Sequence, residues 1–218
     1  MRELLDRART QRETEVYPSL FGRSLQVAQF DPGFFKRTFE QEAELNWLET
    51  SVFESAPNEK HQDFVYVSSG LSNPLPDALP PAQGDYSWLG VEILLRSTEG
   101  GSWAVQTLQR AAAFEILLAH ERFPNRDRLN PGARIPLGGS IIPGTESKLK
   151  FLLVVPSPKE LESFELASGR VDFLNVVGIT EEEAKFAREK GTEPLFEQLR
   201  NHNALWVTDP KRDSLVAP

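Results

Sequence analysis

Residues 64–77 read F-V-Y-V-S-S-G-L-S-N-P-L-P-D: an apolar run, two serines and a glycine, then a stretch broken by prolines. In an extended chain successive side chains alternate between faces. Phe64, Tyr66 and Ser68 therefore share one face, and Val65, Val67 and Ser69 the other. Both faces are apolar over most of the run, the pattern of a strand covered on two sides. The run predicts an inner strand, which Gly70 and Asn73-Pro74 then bring to an end. A strand of that kind needs a sheet to sit inside, and the flanking sequence supplies one.

Residues 88–96 predict a second strand, with Val91, Ile93 and Leu95 facing one way and Glu92 on the opposite, solvated face. Residues 24–30, 45–53, 150–155, 170–177 and 205–208 are further β-rich runs. Between them, residues 130–144 read as loop-dominated and 157–169 as a polar connection. Residues 102–123 predict the clearest helix, with Ser102 in position to cap it. Its A-A-A-F-E-I-L-L-A core at 111–119 carries one charge, so apolar groups cover most of its circumference and it should be central. Residues 2–16 predict a mostly solvated helix ended at Tyr17-Pro18, and 34–44 another helix. T-E-E-E at 180–183 has the spacing of a capping box. The helix it opens should stop near Gly191, and a short one should run from Thr192 through Arg200. Strands and helices are interspersed without regular βαβ alternation, which places the chain in the α+β class, a mixed sheet with flanking helices. The expectation is a single domain over 1–218: a helix at about 2–16, a core at about 17–212 and a frayed tail from Asp209.

The 218 residues include 24 Lys and Arg against 32 Asp and Glu, a net charge of −8, and no cysteine. Disulfides, thiolate metal sites and cysteine nucleophiles are excluded together. The acidic balance disfavours phosphate backbones, so no nucleic-acid partner is expected. The first residues mix charges without an apolar core, unlike a signal peptide. No segment reaches the roughly 18 uninterrupted apolar residues of a membrane span. The expectation is a cytoplasmic protein that does not enter a membrane.

Chemistry-bearing motifs are sparse. No G-x-G-x-x-G or G-x-x-x-x-G-K-[ST] occurs. His61, His120 and His202 form no metal-ligand spacing, so neither metal nor cofactor is expected. His120 reads as a polar residue near a helix C-terminus. A nucleophile elbow needs G-x-S-x-G. Ser68 has Tyr66 two residues before it and Gly70 two after, while Ser72 has Gly70 before and Pro74 after. A small serine hydrolase using Ser69 or Ser72 would need a histidine within about 3 Å of the hydroxyl. The competing reading makes these serines hydrogen-bonding groups at the end of a strand.

A more specific signal is the order of several motifs. Y-V-S-S-G-L-S at 66–72 resembles the Y-x-S-x-G-L-S segment of the Suppressor of fused family. W-L-G-V-E-I-L-L-R at 88–96 is similar to that family's G-x-E-L-x-x-R strand, and the helix from Trp103 to the helix that follows it. N-P-G-A-R-I-P at 130–136 takes the place of its G-D-H stretch. F-L-N-V-V-G-I-T-E-E-E at 173–183 and L-W-V-T-D-P-K-R at 205–212 are close to F-L-Q-I-V-G-V-x-x-E-E-L and W-L-I-T-D-x-x-R. The resemblance is collinear from about Tyr17 to Arg212.

It implies the N-terminal lobe of that family, a mixed, mainly antiparallel sheet with flanking helices and no catalytic residues. In animals the family restrains zinc-finger transcription factors by clamping a peptide, as an added strand, between two lobes. This chain stops where the first lobe ends, so a stand-alone bacterial form is expected. Such forms have been proposed as immunity proteins. The implied partner is thus a protein or peptide, with a toxin domain as one candidate. Where the animal proteins continue G-L-S-D-L-Y-G-D, this chain has G-L-S-N-P-L-P-D at 70–77. Asp77 takes the place of a peptide-contacting aspartate, amid prolines. Tyr66, Asp77, Tyr86 and Trp88 bracket that loop and are the candidate partner-binding residues; core packing is the competing reading of the aromatics. The oligomeric state is open.

Overall fold

The computed structural model describes residues 3–75, 82 and 84–216. Eight strands form one mixed sheet: β1 (Leu25–Gln29), β2 (Ser51–Ser55), β3 (Phe64–Ser69), β4 (Tyr86–Ser97), β5 (Arg134–Pro136), β6 (Leu149–Val155), β7 (Ser163–Leu166) and β8 (Gly169–Thr180). Their order across the sheet is β1-β2-β3-β4-β8-β6-β5, with β7 also pairing β8. Every neighbouring pair is antiparallel except β4 and β8. The expected inner strand is there: β3 pairs β2 on one side and β4 on the other.

Alternation sorts the sheet's side chains into two covers. Tyr66, Ile93, Leu95, Leu152, Val154 and Val176 pack in one cluster with helix α4 (Ser102–Ala119). The alanines 111–113 are fully buried there and let the helix lie close to the strands. From the other face Val65, Val67, Leu94 and Phe173 meet Tyr17 and Phe21 of the N-terminal helical segment. Farther along that sheet Leu153, Val155, Val177 and Ile179 are covered by α5 (Glu181–Lys190) and α6 (Thr192–Asn201). The capping box opens α5 as its spacing requires: Thr180 Oγ1 accepts from the Glu183 N–H, and Glu183 from the Thr180 N–H.

Several expectations are corrected. Pro18 does not end the first helix. The helix α1 (Glu3–Gln11) widens into a π-turn at Arg12–Val16, where the Tyr17 N–H reaches the Arg12 carbonyl, and continues as α2 (Tyr17–Phe21). The wider turn accommodates a proline ring that would press on the carbonyl four residues back in an α-helix. That segment is not mostly solvated on its inner side, since Ala8, Arg12, Tyr17 and Phe21 are buried. Residues 45–49 form a 3₁₀ turn that buries Trp47 against Phe35 (ring centroids 5.3 Å apart), and only then does β2 begin. The 34–44 helix is α3 (Phe34–Phe39), stopped by Glu40 in a left-handed conformation. Residues 205–208 contribute only a single bridge, Ser97 with Thr208, because β4 ends there. The tail is fastened rather than frayed: Arg212 donates to Glu183 and to the Gly178 carbonyl. Ser102 caps nothing with its side chain; Gly101 holds the N-cap position. The loop-dominated stretch contains β5, and the polar connection contains β7. Among the described residues no helix is long and apolar enough to cross a membrane.

Candidate functional site

The base of the β3–β4 connection is built on a buried ion pair. Glu92 was expected on a solvated face, but both it and Arg12 are fully buried, with Arg12 Nη1 3.6 Å from Glu92 Oε1. An isolated buried charge would be prohibitive, so each must be compensated. Glu92 accepts from Ser68 Oγ (2.5 Å), the Gly70 N–H (2.9 Å), the Ser72 N–H (3.1 Å) and Ser72 Oγ (2.7 Å). Arg12 donates from Nε to Ser69 Oγ (2.9 Å), from Nη1 to Ser72 Oγ (2.9 Å) and from Nη2 to Asn73 Oδ1 (2.8 Å).

Two serines act as relays. Ser72 accepts from Arg12 and donates to Glu92, while Ser69 accepts from Arg12 and donates to Glu13 Oε1 at 2.7 Å. A hydroxyl suits this place because it donates and accepts at once. Burial, then the neighbouring Glu92 charge, raises the phenol pKa of Tyr17 well above its ordinary value, and its hydroxyl donates to the Ser68 carbonyl.

This arrangement answers the nucleophile question on geometry. The hydroxyls of Ser69 and Ser72 face a guanidinium and carboxylates and are buried. A histidine ring does reach a serine elsewhere: His61 Nε2 lies 3.2 Å from Ser55 Oγ. That hydroxyl is buried and donates to the Phe21 carbonyl at 2.7 Å, so it is occupied in holding a turn. Among the described residues no His, Cys, Asp and Glu group has metal-holding geometry.

Above the ion pair the two limbs of the loop are tied together. Ser87 Oγ donates to the Ser72 carbonyl (2.5 Å), and the Leu89 N–H donates to the Leu71 carbonyl (3.2 Å). Between Tyr86 and Val91, β4 advances five residues while β8 advances two, from Arg170 to Asp172. The surplus forms a bulge in which Trp88 takes φ +47°, a left-handed conformation rare for so large a side chain. The bulge is braced by Arg128, which donates to the Leu89 carbonyl at 2.7 Å.

The four candidate residues are not equivalent. Tyr66 is fully buried, its hydroxyl accepting from the Gly101 N–H at 2.9 Å, and burial pushes its pKa up to about 12. It packs under α4, out of a partner's reach. Trp88 is partly buried, edge-on to His120 with centroids 6.3 Å apart. Tyr86 is 53% exposed. Its hydroxyl donates to Asp172 Oδ2 (3.1 Å), and the Arg170 guanidinium lies 5.9 Å from its ring centre. Asp77 lies outside the described residues. Leu75, 49% exposed on the first limb, is a surface group that sequence reading passed over, since a leucine between prolines carries no periodic signal.

The fold and this loop base define an α+β scaffold in which buried charges hold a surface loop against a mixed sheet. Residues 45–213 match the sequence model of the Suppressor of fused protein (SUFU), and the chain belongs to that family. The structure is similar to one in the Sufu–Fu complex (TM-score 0.65, 21% identity, 97% of this chain and 90% of that one). It is also similar to a putative SUFU homologue from Neisseria gonorrhoeae (TM-score 0.58, 20% identity, 90% and 88%). Drosophila Suppressor of Fused matches too (TM-score 0.59, 21% identity), with 78% of this chain aligned over 44% of that protein. Among curated proteins none is significantly similar in sequence.

Proposed function

We propose that this chain is a non-enzymatic protein-binding domain that masks a partner at the mouth of the β3–β4 loop. Family membership supports the class of activity, since one similar structure is that of a Sufu–Fu complex. The observation that carries the location is the pairing of exposed Tyr86 and Leu75 with a loop base made rigid by buried hydrogen bonds. An exposed tyrosine on a preorganised base loses little entropy on binding and is a common interface anchor, to which Leu75 adds apolar area. Trp88 completes the proposed surface; Tyr66, buried under α4 with its hydroxyl on the Gly101 N–H, stays outside it. Within this reading a toxin domain is the partner class, held by occlusion.

The test is site-specific photo-crosslinking in cells. A photoreactive phenylalanine replacing Tyr86 is expected to capture a partner that the same group replacing Glu189, on α5, does not. Tyr86→Ala with Leu75→Asp should weaken the captured complex by at least about tenfold. Unchanged affinity in that double variant would remove the loop from the interface. A partner that is harmful alone and harmless when co-expressed with this chain would support the immunity role, and one harmless by itself would oppose it.

A further inference from the structure

A cavity of about 250 Å³ opens between α3, α4 and β5, sharing no lining residue with the loop after Gly70. Its walls are phenyl rings. Phe114 packs against Phe39 and Phe123 with centroids 6.3 and 5.3 Å away, and all three rings are only partly buried. Ala111, Ile135 and Leu152 close the interior. Two guanidinium groups, Arg110 and Arg126, line the same cavity, and no carboxylate does. Arg110 donates from Nη1 to the Leu137 carbonyl at 2.7 Å, which holds it in place with its remaining donors uncommitted to any acid. Among the described residues neither arginine forms an ion pair. What marks these two arginines is that both line one apolar cavity that no acid lines.

Size and charge narrow the occupant. Small-molecule sites commonly offer about 300–1,000 Å³, so this one takes a single ring or a short chain and is too small for a nucleotide. The phenyl and aliphatic lining favours an apolar body. A cationic ligand would meet two like charges at close range, whereas a carboxylate gains charge-assisted hydrogen bonds in the planar geometry a guanidinium offers. We propose that the cavity between α4 and β5 binds a small amphipathic carboxylate, an aromatic ring or short alkyl chain bearing one acid group, with the acid on Arg110 and Arg126 and the body among Phe39, Phe114 and Phe123. The site is independent of the protein-binding surface and would stand if that reading failed.

The experiment titrates the isotope-labelled full chain with phenylbutyrate, phenylbutanol and phenylbutylamine and follows the amide chemical shifts. Saturable shifts confined to the cavity are expected, with the acid binding at least about tenfold more tightly than the alcohol and the amine weakest. Arg126 is exposed, so Arg126→Glu should leave the melting temperature unchanged and weaken the acid by about tenfold, while Arg126→Lys, which keeps the charge but loses the planar fork, should weaken it by a smaller factor. Equal affinity for acid and alcohol, indifference to Arg126→Glu, or shifts scattered outside the cavity would each overturn the proposal.

Discussion

Arg12 of the N-terminal helical segment and Glu92 of β4 form an ion pair from which solvent is excluded, and Ser72 bridges it by accepting from one and donating to the other. The pair fastens the N-terminal segment to the base of the surface loop, because the same carboxylate accepts the Gly70 and Ser72 N–H groups. Removing one partner leaves the other charge buried and uncompensated, which costs about 3–5 kcal/mol. Glu92→Ala is expected to lose that much in urea unfolding. Arg12→Met combined with Glu92→Gln should lose clearly less than the sum of the single changes, since no bare charge remains. Additive losses would show that the two side chains are held by separate contacts and not by each other.

Two glycines beside the loop should respond differently to the same substitution. Gly70 has φ +146°, and a Cβ there would stand 2.5 Å from Thr50 Cα, backbone just ahead of β2. Gly90 has φ +71°, and its Cβ would stand 2.6 Å from Tyr86 Cδ1 and 2.9 Å from Tyr86 Cβ, so the half-exposed Tyr86 must shift together with its own backbone. Gly70→Ala is therefore expected to cost more than about 2 kcal/mol. Gly90→Ala should cost less than Gly70→Ala, because the segment that must shift is a surface bulge, but more than the roughly 1 kcal/mol of left-handed alanine strain alone. Urea midpoints of the two variants in the reverse order would contradict this reading of the sheet's rigidity.

Glu115 offers a pH test of the core. Burial holds its carboxyl above the ordinary value of 4.5, although Arg128 and the Leu129 N–H pull in the other direction. The folded state thus keeps its proton to higher pH than the unfolded chain. By linkage, stability from this group is greatest below 4.5 and falls as pH rises from there through the raised folded value. Glu115→Gln removes the titration, so the advantage of the native chain over this variant should shrink as pH climbs above 4.5. Urea unfolding of both proteins across that range measures it. An advantage that grew with pH would mean that attraction to Arg128 outweighs burial.

Much of the architecture follows from local pattern. Two apolar faces over 64–69 required an inner strand, an apolar circumference over 111–119 required a central helix, and T-E-E-E at 180–183 required a helix start. These features depend on residues a few positions apart, whose geometry repeats with the backbone. The serines of S-S-G-L-S could be read from sequence as nucleophiles or as hydrogen-bonding groups, but in neither case could their partner be named. Their partner Arg12 lies 57 and 60 residues away from Ser69 and Ser72. Nothing in a solvated-looking helix announces that a π-turn carries that guanidinium into the core. Glu92 misled for the same reason: alternation in a strand assigns a face, but whether water or a buried arginine meets that face depends on what packs there. The sequence alone determined that the chain must leave β3 at Gly70. Only the tertiary structure decided that Arg12 and Glu92 hold it there, because compensating a buried charge takes groups that meet only once the chain has folded.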